Sequence, residues 1–332
     1  MDQHVRVCGL RPDDRLQLAM PLFHNAGMAS GLGAGWRIGA HVVCFSGPFR
    51  PNAVLAQAAE QQITVAHWIP TMLHRLTAYL ENEPLPLGSL RAIHFGAMPI
   101  SPALLERMRQ VFDAEFTQLY GSTDCGLVGY SDDLRDASRE NDFRVEADSG
   151  VRILSDNFQD VAIGDVGQIA VTQTQSGMIG YWQDDARTRG VVQNGVVQNG
   201  VVQNGVVQNG VVLSGDMARN LGDGRMALIG RQDDLIISGG ENLYPSGVEN
   251  VLADHPALRK VVVVGVPDDE FGQLVCVVAV LNVLAEVTLA NLQDHCADKL
   301  PGYTIPRPPK IVSALPKTGA GKVARAAVRD LM

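Results

Sequence analysis

Ala40-His41-Val42-Val43-Cys44-Phe45, Val65-Ala66-His67-Trp68-Ile69 and Leu90-Arg91-Ala92-Ile93-His94-Phe95 are the runs whose reading decides the fold. Each is short, largely apolar at both parities and rich in β-branched or aromatic residues, the pattern of a strand covered on both faces. Between them, residues 52–62 and 71–81 space their apolar positions as helices do. Ser101-Pro102 then opens a further helix, with a hydroxyl to cap it and a proline in the first turn, where no N–H is needed. Strand–helix alternation of this kind predicts a parallel α/β sheet, because a crossover is needed to bring the next strand back in the same direction.

Downstream the texture changes. From residue 144 to 229, short strand-like runs such as 150–154 and 168–172 are separated by Asp, Asn and Gly, which predicts a small antiparallel barrel or sheet. After Asp233 the pattern is α+β: a hairpin, a helix over 246–254, strands over 260–266 and 275–281, a helix over 289–299 and a strand over 310–313. The predicted organisation is α/β, with a partial large domain over 1–232 and a small α+β domain over 233–332. The large domain divides into an α/β part, 1–143, and a β-rich part, 144–232.

Of the 332 residues, 46% are hydrophobic and 19% charged, which describes an ordinary globular chain. The net charge of −9 and the lack of a basic run argue against a nucleic-acid binder. No apolar run approaches membrane-spanning length, and the N-terminus lacks a basic-then-apolar signal. Five scattered cysteines form no CxxC pair, which suits a reducing cytoplasm. Eight histidines show neither HExxH nor HxxxH spacing, so spacing alone argues against a zinc site.

Near the C-terminal end stands Pro316-Lys317-Thr318-Gly319-Ala320-Gly321-Lys322-Val323-Ala324-Arg325. A phosphate-cradling loop needs four residues between its first glycine and Gly-Lys, then Ser or Thr for the metal. Here the glycines are too close and Val323 follows, so that reading fails. Other segments accompany this tail: Pro21-Leu22-Phe23-His24-Asn25-Ala26-Gly27-Met28, Gly96-Ala97-Met98-Pro99, Tyr120-Gly121-Ser122-Thr123-Asp124 and Ser214-Gly215-Asp216. The last is Gly230-Arg231-Gln232-Asp233-Asp234-Leu235-Ile236-Ile237-Ser238-Gly239-Gly240-Glu241-Asn242-Leu243-Tyr244-Pro245. In this order and spacing, from about residue 16 to residue 325, the set resembles the adenylate-forming superfamily of acyl-CoA synthetases, adenylation domains and luciferases. The run from Ile237 through Glu249 is similar to the acyl-CoA synthetase branch, above all to enzymes of fatty or related carboxylic acids.

The resemblance implies two half-reactions: a carboxylate and MgATP give acyl-adenylate and pyrophosphate, and the thiol of CoA then displaces AMP. It implies that Lys322 is the catalytic lysine, a compact cation on a long stem that reaches the carboxylate and α-phosphate. By the same resemblance Thr123 bonds a phosphate oxygen, and Asp124, where the family usually has Glu, is the Mg²⁺ ligand, one methylene shorter. Gly96, Ala97 and Tyr120 match the adenine pocket, Gly121 is a further nucleotide-binding position, and Asp216 and Arg231 match the residues that hold the ribose. Asp233 matches the hinge between the two states, and Gly239, Gly240 and Glu241 the loop that meets the thiol. His24, Asn25, Trp68 and Gly126 fall where the family lines its acyl pocket and gate, although each also reads as core.

Val-Val-Gln-Asn-Gly occurs four times in tandem over residues 191–210. Each unit is too short for a solenoid, and removing three copies restores the family's customary loop between Thr188 and Asp216. The family's Ser/Thr/Gly-rich phosphate loop finds no counterpart upstream of Pro21, so the expectation is a shortened large domain whose apolar sheet edges promote association. Two further readings stay open on that ground: a non-catalytic remnant that binds AMP or CoA, or a protein that carries out the thioester half-reaction alone. The glycines at 27, 31, 33, 35 and 39 precede a strand with no acidic residue for a ribose, which favours tight helix packing over a dinucleotide fold.

Overall fold

Pro51, Pro70, Pro102 and Pro245 each open a helix, using a fixed φ and a missing N–H where the first turn tolerates both. The computed structural model describes residues 1–97, 100–131, 134, 142–193, 210–297, 299–300, 309–318 and 323–332. The first elements are α1 (Asp2–Val7), β1 (Arg15–Leu18), a π-helix (Ala26–Gly33), α2 (Ala34–Ile38) and β2 (His41–Cys44). Then come α3 (Pro51–Glu60), β3 (Val65–His67), α4 (Pro70–Leu80), β4 (Ala92–Gly96), α5 (Pro102–Val111), β5 (Glu115–Ser122), β6 (Gly126–Ser131) and β7 (Asp142–Arg144). The β-rich part holds β8 (Val151–Leu154), β9 (Val166–Thr172), α6 (Gln173–Ser176), α7 (Asp185–Val191), β10 (Val192–Gln193), β11 (Val211–Gly222) and β12 (Arg225–Arg231). The remainder is β13 (Ile236–Ser238), β14 (Glu241–Leu243), α8 (Pro245–Ala253), β15 (Leu258–Asp268), β16 (Gly272–Leu281), α9 (Leu289–Ala297), β17 (Lys310–Ile311) and α10 (Arg325–Arg329).

The main sheet runs β2-β1-β3-β4-β5-β6-β7-β12-β11-β9-β8. It is parallel from β2 to β5, then antiparallel at β5–β6, β6–β7, β7–β12 and β8–β9. The expected parallel α/β sheet followed by antiparallel strands is therefore present. The sequence reading did not name β5, β6 and β7, and within the parallel part it also missed β1, only Arg-Leu-Gln-Leu, which lies between β2 and β3 with Leu16 opposite Val42 and Val65. A buried glutamine hid it: Gln17 Nε2 donates to Val54 O at 2.9 Å, and its Oε1 accepts from Trp68 Nε1 at 3.1 Å.

Parity assigns the two faces of the parallel part. Ala66, Trp68, Ile93 and Phe95 enter a core with α3, α4 and α5, through Val54, Leu55, Leu73, Leu76, Leu105 and Met108. Val65 and Ala92 enter the opposite core with Leu16, Cys8, Leu10 and Ala34, under α1 and α2. The glycine segment packs tightly, as expected: a Cβ on Gly31 would stand 2.6 Å from Leu18 Cδ1, and one on Gly35 2.5 Å from Val42 Cγ2.

The chain divides into two compact units, residues 1–214 with 219–228, and residues 215–218 with 229–332. In the second unit β15 and β16 pair antiparallel over almost their whole length, and β17 joins β16 in parallel. Val263, Val277 and Ala279 meet α8 and α9 through Leu252 and Leu292, while Val262, Val264 and Val278 meet Leu315 and Val328 on the other face. No helix among the described residues is long and apolar enough to cross a membrane.

Candidate active site

In the first unit, the carboxyl ends of the parallel strands carry the quoted motifs, and β5 is where the sheet changes from parallel to antiparallel. In open α/β sheets, ligands bind outside the carboxyl ends of the parallel strands. Gly96 ends β4 and lies opposite Leu119. A Cβ there would stand 2.3 Å from Leu119 O, so only glycine lets the strands come this close. Ala97 follows with φ +71°, a left-handed conformation that costs a non-glycine residue about 1 kcal/mol and tends to occur at functional sites. Met98 and Pro99 of the same motif lie outside the described residues.

The β5–β6 connection is a tight turn. Its register shifts between Tyr120 and Gly121, and Ser122 lies opposite Gly126. A Cβ on Gly121 would meet Gly126 O at 2.2 Å, and Gly126 itself has φ +72°. Ser122 Oγ accepts from Cys125 N at 3.0 Å, which holds Thr123 exposed at the tip and Asp124 half-buried beside it. The Tyr120 ring tilts against Phe143 with centroids 5.3 Å apart. Asn25 Nδ2 donates to Ser122 O at 3.4 Å, which brings the segment after β1 to this turn, and His24 Nδ1 accepts from Ala26 N at 3.3 Å. Trp68 is placed otherwise: it is wholly buried in the helix-covered core, with its indole N–H on Gln17.

One residue of this turn region escaped the sequence reading. Tyr181 OH donates to Asp124 Oδ2 at 2.6 Å, and the Arg187 guanidinium lies 4.1 Å over the Tyr181 ring. Burial first, then the Asp124 carboxylate, raises the Tyr181 phenol above its ordinary pKa. Tyr181 N also donates to Thr188 Oγ1 at 2.8 Å, and Asp184 caps α7 by accepting from Arg187 N at 2.9 Å. Thr188 was named in the sequence reading; the reach of Tyr181 to Asp124 was not, because it spans 57 positions.

In the second unit Asp216 Oδ1 and Arg231 Nη1 form an ion pair at 3.3 Å, and Arg231 Nη2 lies 3.9 Å from Asp233. Gly215, at φ +76°, makes room for that guanidinium: a Cβ there would stand 2.8 Å from Arg231 Nη2. Gly239 and Gly240, at φ +61° and +85°, are the two-residue loop of the β13–β14 hairpin, whose last pair is Ser238 with Glu241. Two positive φ values in a two-residue hairpin explain the paired glycines without reference to any ligand. Glu241 is exposed, as is Asp233 in a short 3₁₀ turn (Gln232–Asp234).

Lys322 lies outside the described residues, as do Gly319, Ala320 and Gly321. The residues on either side are described: Lys317 bridges Val323 antiparallel, and Ala324 N donates to Pro316 O at 3.0 Å. Just beyond, Arg325 bonds Glu249 Oε2 at 2.7 Å, Asp234 Oδ2 at 3.1 Å and Val263 O at 2.8 Å. The tail is thus anchored to the second unit by a half-buried guanidinium whose donors meet both charge and carbonyl.

Comparison with known proteins agrees with this geometry. The AMP-binding enzyme family matches residues 1–182, and the AMP-binding enzyme C-terminal domain matches residues 247–322. Among curated relatives, the chain is 31% identical over 297 residues to the medium/long-chain-fatty-acid–CoA ligase FadD8 of Mycobacterium tuberculosis, covering 85% of this chain and 48% of that protein. It is 30% identical over 322 residues to a feruloyl-CoA synthase of an Amycolatopsis species, covering 96% and 62%. Among solved structures, it matches the amide bond synthetase McbA of Marinactinospora thermotolerans with a TM-score of 0.82 and 28% identity, over 100% of this chain and 65% of that one. The chain spans about half to two thirds of the length of these relatives. By the family match over more than half its length, the chain belongs to the AMP-binding enzyme family.

Proposed function

We propose that the chain carries the chemistry of an acyl–thiol ligase. The carboxylate oxygen of an acid attacks the α-phosphorus of MgATP, the bond to pyrophosphate breaks, and acyl-adenylate forms. The thiol of CoA then attacks the carbonyl carbon, loses its proton, and AMP leaves. The observation that carries this reading is the convergence of Gly96-Ala97, the Tyr120–Asp124 turn and Asn25 at the ends of neighbouring parallel strands. The exposed Ala97 that follows Gly96 and the flat Tyr120 ring suit a purine. The exposed Thr123 hydroxyl suits a phosphate oxygen, and the Asp216–Arg231 pair suits ribose hydroxyls.

Asp124 offers a hard carboxylate oxygen of the kind magnesium takes, with Oδ2 already fixed by Tyr181. Bound there, the ion would neutralise phosphate charge as pyrophosphate departs. Lys322 supplies the cation that lets two anions approach, Asp233 is the hinge residue, and Gly239, Gly240 and Glu241 receive the thiol. His24, Asn25 and Gly126 line the acyl side. The acid is a carboxylic acid of the fatty or aryl-substituted class, since relatives are named for fatty, indoleacetic and ferulic acids. A reducing cytoplasm fits the five free cysteines among the described residues.

The test is acyl-CoA formation from a panel of such acids with MgATP and CoA, followed by mass spectrometry. Product that depends on acid, ATP and CoA supports the reading. Absence of product from folded protein, with acyl-AMP supplied in place of ATP as well, overturns it. Product from acyl-AMP alone narrows the activity to the thioester step.

A further inference from the structure

The face of β3 and β4 that is turned away from α3, α4 and α5 carries a group of side chains that adenylate chemistry does not use. His67 and His94 are register partners across this ladder and share the parity of Val65 and Ala92. Their rings meet edge-on with centroids 4.8 Å apart. Both are buried, and both ring nitrogens of His67 and Nδ1 of His94 lack any hydrogen-bond partner. A neutral imidazole carries one donor and one acceptor, and folded proteins satisfy nearly all such groups when they bury them. Two adjacent histidines left open in this way point to a ligand that accepts from neither and binds lone pairs.

The third member of the group is Cys8, buried at the C-terminal end of α1. Its Sγ and one nitrogen of each imidazole all lie within 4.8 Å of one another, the one group of this kind among the described residues. Bonds of about 2.0–2.3 Å in a tetrahedral site put ligand atoms roughly 3.3–3.7 Å apart, so side-chain rotations of about 1 Å close the group around an ion. One thiolate and two imidazoles are too soft a set for magnesium or calcium and match the zinc class. We propose that Cys8, His67 and His94 form a binding site for one zinc-class divalent cation, which ties α1 to β3 and β4. The fourth position falls to water or to His4, one turn earlier on α1, whose Nε2 is engaged by Ser30 Oγ at 2.7 Å. Spacing in the sequence argued against zinc because its ligands come from three separate segments, which no contiguous motif can show.

The probe is the full chain, stripped with a chelator, repurified and titrated with Co²⁺ and then Zn²⁺. The expected result is one equivalent of Co²⁺ with visible ligand-field bands and a near-ultraviolet thiolate charge-transfer band, displaced by Zn²⁺. Zn²⁺, but not Mg²⁺, raises the thermal midpoint. Cys8→Ala loses the thiolate band, and His94→Gln lowers the affinity at least 10-fold, both with unchanged far-ultraviolet circular dichroism. Cys44→Ser, which removes an exposed thiol, keeps the band. Folded wild-type protein that takes up no stoichiometric Co²⁺, or a thiolate band that survives in Cys8→Ala, overturns the proposal. Should Cys8→Ala fail to fold, the wild-type stoichiometry and the His94→Gln affinity decide it.

Discussion

At the scale of single residues, Asp124 is the most informative position, because its two oxygens serve different partners in the proposed chemistry. Tyr181 fixes Oδ2 at 2.6 Å, so Tyr181→Phe should free the carboxylate to rotate and weaken its hold on a cation. A hydrogen bond to a charged group is worth about 1.5–3 kcal/mol, of which a half-buried pair keeps a part. The expected outcome is a KM for MgATP raised roughly 5- to 10-fold with stability little changed, read from steady-state kinetics and urea melts. An unchanged KM would detach Asp124 from the metal. His4 gives a prediction on pH. Burial, then the nearby N-terminal amine, lower its pKa from 6.5 to about 4, so the folded state keeps it neutral while the unfolded chain protonates near 6.5. Its contribution is complete above 6.5 and is lost as pH falls towards about 4. At about pH 5 the loss amounts to roughly 2 kcal/mol. Buried His67 and His94, lowered in the same direction, add to the slope. Chelator-treated protein should therefore lose at least that much between about pH 7 and 5 in urea titrations, and His4→Gln should lose about 2 kcal/mol less; equal slopes would refute the assignment.

At the scale of elements, the glycines of the motifs are there for strand packing as much as for ligands. Gly121→Ala puts a Cβ 2.2 Å from Gly126 O, where backbone meets backbone and nothing flexible can yield. Overpacking of this sort costs about 1–3 kcal/mol, measurable as a lower urea midpoint. An alanine variant as stable as wild type would mean that the β5–β6 turn is looser than described. The same turn shows why much of the site was legible. Strand ends, tight turns and caps each demand particular residues, so Ser101 before Pro102 marked a helix start, and Ser101 Oγ does accept from Leu104 N at 3.3 Å. Other features were illegible for equally physical reasons. β1 has four residues and a buried glutamine, so it shows no apolar run, and the links from Tyr181 to Asp124 and from Cys8 to the two histidines join distant segments. Local pattern reports the backbone; long-range side-chain pairing appears only when the strands are assembled.

At the scale of the whole molecule, the tandem repeat is the feature most open to surgery. Residues 194–209 lie outside the described residues, but the ends that carry them are described: Val192 pairs with Val212 and Gln193 with Val211. Deleting residues 196–210 leaves Gln193-Asn194-Gly195-Val211, so that Asn-Gly joins β10 to β11 as a two-residue hairpin loop. Asn-Gly is the preferred sequence for that turn. Shortening a loop to this extent changes closure entropy by about 2 kcal/mol, so the deletion should keep the fold and hold or raise the thermal midpoint. Loss of folded protein on deletion would show that the repeat is structural. The two compact units divide the proposed roles, with base, phosphate and acyl residues in the first, and ribose, thiol-loop and lysine residues in the second. The central proposal is that the chain makes an acyl-adenylate. Its most direct test is acid-dependent ATP–pyrophosphate exchange by the purified chain, beside a Lys322→Ala control. The account predicts exchange that requires the acid and falls about 10²–10³-fold in the variant, the loss expected when one charge-stabilising donor is removed. Folded protein without exchange, or exchange indifferent to Lys322, would contradict it.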